Sequence, residues 1–382
     1  MKNFSVKDIP AGSFFSKPVY LDSQLILATP ETPFTAETVR TLLDWEFREV
    51  FSEGEPREEY FSDDVDEADE ILGEGADTSV LSDGDHIRKA EEFIKSFQNY
   101  TEKLFTKVAM NEDFYFKDVA EKIKGVVEII KEDRRFLFRS EKMALPASEN
   151  NYLASHTVKS TIIAIVIGQQ LKMPTHRLIE LGVAALLHEV GMLKLPPQVY
   201  LSKRPLSPQE KKAILTHPVL SYNILKAADF PLTICIAALE HHERENGSGY
   251  PQKLTGDKIS LYAKIIAVAC SYEAVTSTRP HKDAKDGYTG MLDLLKNEGK
   301  QYDDTIVRAL VYSLSIYPIG LYVLLSNNRK GQVVDVNPEN PRFPVVQVFG
   351  ELTPDGKNKT LQTNKDGIHI TRPLTREEIT VQ

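Results

Sequence analysis

The sequence predicts a mainly α fold, a helical bundle core with a small β-rich unit on its N-terminal side and a β-rich tail on its C-terminal side. Three observations point there. From Tyr152 to Leu314 apolar residues recur at helical spacing, cut only by Pro174, Pro196-Pro197, Pro205, Pro231 and the turn Gly247 to Pro251. Short β-branched runs bounded by turn residues flank that stretch on both sides. Six of the nine histidines fall between positions 156 and 242, inside the helical part.

Residues 1–52 read as the β-rich unit. Val19-Tyr20-Leu21 and Leu25-Ile26-Leu27-Ala28 suit short strands around an Asp22-Ser23 turn. Val39, Leu42 and Leu43 then place a helix over Thr35 to Trp45, and Phe47 to Phe51 returns as a strand. Residues 53–85 hold fourteen acidic side chains against Arg57 alone, a composition that predicts a solvated linker, with docking of a basic partner as the functional alternative. Residues 86–317 form the helical domain, opening with one long amphipathic helix from Ile87 past Leu104 and another over Val119 to Ile130. Residues 318–382 return to strands at Leu321 to Leu325, Gln332 to Val336 and Val345 to Phe349.

Charge and apolar content narrow the function classes. The net charge of −9 resides in the acidic segment, and the remainder carries +4 with no basic stripe suited to nucleic acid. The longest apolar run, Thr161 to Gly168, falls far short of the roughly 20 residues of a membrane span. Two cysteines, Cys235 and Cys270, make no disulfide framework, and the first residues lack an apolar signal core; both features predict a protein of the reducing cytoplasm.

The histidines carry the chemistry. His156 opens one helix, His188-Glu189 ends another, His217 precedes Pro218, and His241-His242 end the run Ile234 to Glu240. A single imidazole on such a face is more often a satisfied core residue than a ligand. Five of them, spread over four helices of a histidine-poor chain, are hard to explain as packing, because each unpaired buried imidazole costs about 1–3 kcal/mol. Helices packed as a bundle can direct such side chains at one point, as helical metalloproteins do. His86, His176, His281 and His369 read as surface or cap residues.

The motifs resemble one family. Ala184-Ala185-Leu186-Leu187-His188-Glu189-Val190-Gly191-Met192 is similar to "ALLHDIGK", and His241 to Pro251 (HHERENGSGYP) is similar to "HHE-x-x-DGxGYP". Leu254, Gly256 and Ile259 follow as in "GLxGxxI", and Ala269 to Pro280 resembles "ADxYDALTSxRPYR". Together these resemble the HD-GYP domain of the HD superfamily of metal-dependent phosphohydrolases, over a motif core of residues 150–282.

The resemblance implies an HD-type helical bundle that hydrolyses cyclic di-GMP through a hydroxide bridging two divalent ions, iron or manganese. It implies metal ligands at His156, His188, Glu189, His217, His241, His242 and Cys270, with His188 and Glu189 at the catalytic centre. Arg279 and Lys282 fall where the family holds phosphate, ordinary surface cations being the other reading. The Gly249-Tyr250-Pro251 loop falls where the family meets cyclase-domain partners.

Four departures bear on turnover. Glu189 replaces the family's bridging aspartate and adds a methylene. Cys270 replaces a second aspartate; it is either a softer ligand that admits zinc or a small hydrophobe. Glu273, one turn on, reaches the ions only if the helix rotates. Met192 replaces a lysine and cannot donate a proton, help worth about 10²–10⁴ in rate. Asn246 replaces the signature aspartate, and Tyr152 stands where some relatives carry an extra glutamate, which favours two ions over three. The alternative function is a degenerate module that binds the nucleotide or a protein without turnover.

Overall fold

The computed structural model describes residues 2–10, 12–17, 19–20, 26–28, 34, 36–44, 48–57, 82–140, 143, 152–200, 204–277, 285–353, 358–375 and 378–379. Chain contacts divide the protein into two units, Met1–Val80 and Leu81–Gln382. Most of the acidic segment and the turn at Asp22-Ser23 lie outside the described residues.

Among its described residues the first unit is antiparallel β-structure with one α-helix. Its strands are β1 (Lys2–Ser5), β2 (Phe14–Phe15), β3 (Val19–Tyr20), β4 (Ile26–Ala28), β5 (Glu49–Ser52) and β6 (Pro56–Arg57), with α1 at Ala36–Asp44. Four of them form a sheet in the order β1-β5-β3-β4, and β2 pairs with β6. Val6, Ile9, Phe15, Val19, Phe34, Leu42 and Val50 close a small core of their own.

The second unit is mainly helical, as the apolar periodicity predicts. It opens with α2 (Asp83–Ala109) and α3 (Phe116–Arg139), an antiparallel pair of amphipathic helices. Ser82 starts α2 through a capping box with Asp85, which satisfies amide groups that the first turn otherwise leaves free. There follow α4 (Tyr152–Gln170), α5 (Thr175–Leu187), α6 (Pro197–Tyr200), α7 (Pro208–Ile214), α8 (His217–Ala227) and α9 (Leu232–Glu240). Then come α10 (Leu261–Thr276), α11 (Gly287–Lys296) and α12 (Asp304–Leu314).

Helix α4 is the axis of this unit. Leu153 through Gly168 are all buried, so the helix has no solvent face and must be surrounded. It packs against α2, α3, α5, α10 and α12. Ile162, Ile165 and Ile167 are fully enclosed, each worth about 1.5–3 kcal/mol of burial.

The C-terminal strands are β7 (Tyr322–Leu325), β8 (Lys330–Asp335), β9 (Val345–Leu352), β10 (Asn358–Gln362) and β11 (Ile370–Pro373). They form one antiparallel sheet in the order β10-β9-β8-β7-β11. Arg139, at the end of α3, donates to Asp83 at 2.7 Å and to Gln347 of β9 at 3.2 Å, tying the sheet to the first helix pair. Strands β10 and β11 were not foreseen from sequence.

One close approach sets the position of the site. After α5 the chain makes a short 3₁₀ turn, Val190–Lys194, that lies directly on α8. A Cβ on Gly191 would sit 2.1 Å from the His217 carbonyl oxygen and 2.6 Å from the Ser221 nitrogen, both backbone atoms. In the glycine's place Gly191 N–H donates to Ser221 Oγ at 2.8 Å, and that hydroxyl donates to the His188 carbonyl at 2.8 Å. Gly191→Ala should therefore push the turn off α8 and cost about 1–3 kcal/mol. A thermal melt of the full chain checks this, and an unchanged midpoint would refute the packing argument.

Candidate metal centre

Each histidine of the sequence constellation except His156 sits at or just past a helix terminus. His188 caps α5, His217 begins α8, and His241 caps α9 with His242 next to it. His156 lies one turn into α4. Helix ends leave carbonyls without intrahelical partners, and three of the imidazoles use them. His188 Nδ1 lies 2.7 Å from the Ala185 carbonyl, His217 Nδ1 2.7 Å from that of Ile214, and His241 Nδ1 2.8 Å from that of Ala238. A carbonyl only accepts, so in all three the proton belongs on Nδ1 and the Nε2 lone pair is free to point inward.

The fourth is oriented from its other side. His156 Nδ1 meets Glu273 Oε2 at 2.5 Å, with both side chains buried. Glu273 therefore joins the site as the partner that fixes a histidine, without reaching the metal-facing atoms itself. No rotation of α10 is needed, because α4 passes beside the Glu273 face of that helix. Lys159, one turn beyond His156, is also buried and donates to Ser277 Oγ at 3.3 Å. Burial lowers the Lys159 pKa, and the Glu273 charge opposes that.

The inward-facing atoms form two adjoining groups. Glu189, His217, His241 and His242 bring ligand atoms within 4.8 Å of one another, and His156, His188 and Cys270 do the same. Glu189 stands between them. Its Oε1 is 3.7 Å from His188 Nε2 and 3.9 Å from His156 Nε2, while its Oε2 is 3.3 Å from His217 Nε2. Cys270 Sγ is 3.2 Å from His188 Nε2. Thus the structure brings all seven sequence-predicted ligands together. Arg279 and Lys282, expected to hold phosphate, lie outside the described residues.

These residues fit cations by two observations. Buried Glu189 Oε2 has no hydrogen-bond donor. His217 Nε2 and His241 Nε2 face each other at 3.2 Å although each ring's proton is committed to a carbonyl on the far side. Opposed lone pairs beside an unsatisfied carboxylate are stable only with positive charge among them.

Ionisation follows the same logic. Burial pushes His241 well below the ordinary imidazole range, reinforced by His242, His188 and His217, so it stays neutral as a ligand must. Burial likewise lowers His242, with His217 adding to the effect. For Glu189, burial works against ionisation, and positive charge on His217, His188, His156 and His242 brings its pKa down to about 2, a charge that bound cations would supply in place of ring protons. Burial also opposes ionisation of Cys270, and positive charge at His188 and His156, whose own protonated forms Cys270 and Glu273 favour, brings the thiol to about 6, a charge that a bound cation would supply in place of those protons.

The loop after the paired histidines closes over the group. Tyr250 stacks on His242 with ring centroids 4.6 Å apart, and the Tyr250–Pro251 peptide is cis. A Cβ on Gly249 would fall 2.4 Å from Glu243 Cα, so this turn admits only glycine. Glu243 is the residue that sequence reasoning missed. Its buried carboxylate accepts the N–H groups of Gln252 at 2.6 Å, Lys253 at 3.0 Å and Leu254 at 3.0 Å, clamping the loop from inside. The signal was present as the third letter of "HHE", but its partners meet it only once the loop has folded back.

Above the centre lies a cavity of about 280 Å³, whose lining includes His156, Glu189, His242, Tyr250 and Cys270. Met192 lines it too, in the place where a proton donor is expected. Lys194 does not substitute, since its ammonium is tied to the Val108 carbonyl at the end of α2 and to Asn111 just past it. Arg244 also faces the cavity, its guanidinium bonded to the Glu243 carbonyl at 2.8 Å and lying over the Tyr302 ring.

A family model described as an HD domain matches residues 142–306. The cyclic di-GMP phosphodiesterase PdeB of Borreliella burgdorferi is 26% identical over 333 residues, covering 86% of this chain and 83% of that protein. The cyclic di-GMP phosphodiesterase PA4108 of Pseudomonas aeruginosa is 30% identical over 203 residues, 53% of this chain and 49% of that protein. Among solved structures, the HDG"Y"P protein Bd1817 of Bdellovibrio bacteriovorus aligns with a TM-score of 0.48 at 15% identity, over 81% of this chain and 97% of that one. The chain thus spans most of one such relative and about half of another.

Glu243→Ala should release the loop while leaving the bundle intact. Each orphaned buried amide costs about 1–3 kcal/mol, so the loop and not the bundle should open first. Hydrogen exchange at Gln252, Lys253 and Leu254 is expected to accelerate at least about tenfold with exchange in α4 unchanged. Equal acceleration throughout would mean that Glu243 supports the whole core.

Proposed function

We propose that this chain, an HD-GYP domain protein, is a metal-dependent phosphodiesterase that hydrolyses cyclic di-GMP to its linear dinucleotide. The observation that carries the reading is the convergence of five imidazoles, Glu189 and Cys270 on adjoining points at the floor of a cavity. Divalent ions held by these residues would supply a water of lowered pKa and would neutralise charge that builds on the phosphoryl oxygens. His156, His188 and Cys270 would hold one ion, and His217, His241 and His242 the other, with Glu189 between. Iron or manganese suits the nitrogen and oxygen donors, and Cys270 admits zinc.

The remaining work falls to side chains. Glu189 stays ionised and faces both groups, so its added methylene is accommodated without loss of either contact. The carbonyl-anchored rings hold their lone pairs fixed as charge shifts on the phosphate, which avoids reorganisation in the transition state. Arg279 and Lys282 are assigned to the phosphates on the family pattern. Met192 offers no proton, so the leaving oxygen takes one from water and turnover is slow. A cyclase-domain partner is assigned to the Gly249-Tyr250-Pro251 loop, where the Tyr250 stack on His242 would transmit any displacement straight to a ligand.

Incubation of the purified full chain with cyclic di-GMP and ferrous iron under reducing conditions tests the reading. Linear product is expected, and Glu189→Ala or His241→Ala should abolish it together with bound metal. Met192→Lys should raise kcat by about 10²-fold, the low end of general-acid help. Nucleotide binding without product in both the wild type and Met192→Lys would establish a sensor instead.

A further inference from the structure

The two groups of ligands are chemically unlike. His156, His188 and Cys270 offer two imidazoles and a thiol, whereas His217, His241 and His242 with Glu189 Oε2 offer three imidazoles and a carboxylate. Only the first group contains sulfur. We propose, resting on the hydrolase reading, that the centre is built from a soft and a hard half-site, so that the thiolate half takes a thiophilic ion, zinc or ferrous iron, and the two halves fill with different affinities and different metals.

Geometry supports the thiol as a ligand rather than a packing residue. Cys270 Sγ lies 3.2 Å from His188 Nε2, the nitrogen left without a proton because Nδ1 is bonded to the Ala185 carbonyl. Cys270 Sγ also lies within 4.8 Å of a ring nitrogen of His156, the other member of its group. It lines the cavity, half-buried, and so is reachable from solvent. Glu189, whose Oε2 has no donor, turns its other oxygen toward this same group. Behind it, the Glu273 carboxylate on His156 Nδ1 makes a carboxylate–imidazole pair of the kind that raises ligand basicity.

Soft thiolate discriminates strongly among first-row ions. Manganese, a hard ion low in the affinity order, gains little from sulfur, while zinc and ferrous iron bind it well. On binding, the sulfur–metal bond forms and the thiol proton leaves to solvent, with no change of oxidation state. Manganese would then serve the imidazole–carboxylate half alone. Full loading in its presence would require a thiophilic ion next door.

The full chain, stripped of metal and kept reduced, can be titrated with Co²⁺ alone, a spectroscopic stand-in for zinc. The first equivalent should bring a near-ultraviolet thiolate-to-cobalt charge-transfer band, and the second should bind without enlarging it. Zinc should bleach the band, and excess manganese should not. Cys270→Ser should lose the band and weaken one equivalent at least about tenfold. Cys270→Asp should recover two equivalents without the band and let manganese compete, which separates loss of the thiolate from loss of the fold. Cys235→Ala, altering the chain's other cysteine, should keep the band. Two cobalt ions bound to the wild type with no band, or a band that persists in Cys270→Ser, would overturn the soft half-site and leave the hydrolase reading standing. No cobalt bound at all would overturn both.

Discussion

Five imidazoles and an ionised carboxylate share one buried region of this bundle, and holding that many lone pairs together is the constraint to which the surrounding structure answers. Left to themselves the rings would turn, protonate or draw in water. Instead four of the five are bound on their far sides. His188, His217 and His241 each lean on the carbonyl three residues earlier, and His156 leans on Glu273. With rotation and tautomer fixed from behind, the inward nitrogens are committed before any ligand arrives, which is how a site avoids ordering costs at the moment of binding.

The rest of the core can be understood as support for that commitment. Helix α4, buried on every side, brings His156 to the centre and leaves no freedom for it to retreat toward solvent. The turn at Gly191 presses Glu189 toward His217, with Ser221 joining the two segments by a hydrogen bond on each side. Glu243 does the same for the loop beyond His242. Mutually supporting local choices of this kind are what give a sequence one structure instead of several.

Four of the five histidines were legible in the sequence because they sit at or just past helix ends beside Gly191, Pro218 or the Gly247–Pro251 turn, so motif and secondary structure could be read together, whereas His156 lies one turn inside α4. The strands at β7, β8 and β9 were legible from their β-branched alternation. Strands β10 and β11 were not, since Asn358–Gln362 is almost wholly exposed and shows no buried face from which a period could be read. The pairing of His156 with Glu273 spans 117 residues, and only the packing of α10 on α4 creates it. From the sequence of one helix Glu273 reaches the ions only by rotation, and the neighbouring helix gives it a partner in His156 instead.

The carbonyl that orients each of three ligand histidines is also one of the unpaired groups at the end of a helix. A single hydrogen bond thereby finishes a helix and aims an imidazole. Geometry of this sort is portable: it depends on a terminus, a three-residue offset and nothing from the wider fold. Any bundle whose helices end around a common hollow could be given such a centre by writing histidine at or just past each end, with the backbone supplying the outer shell that designers usually have to build from side chains.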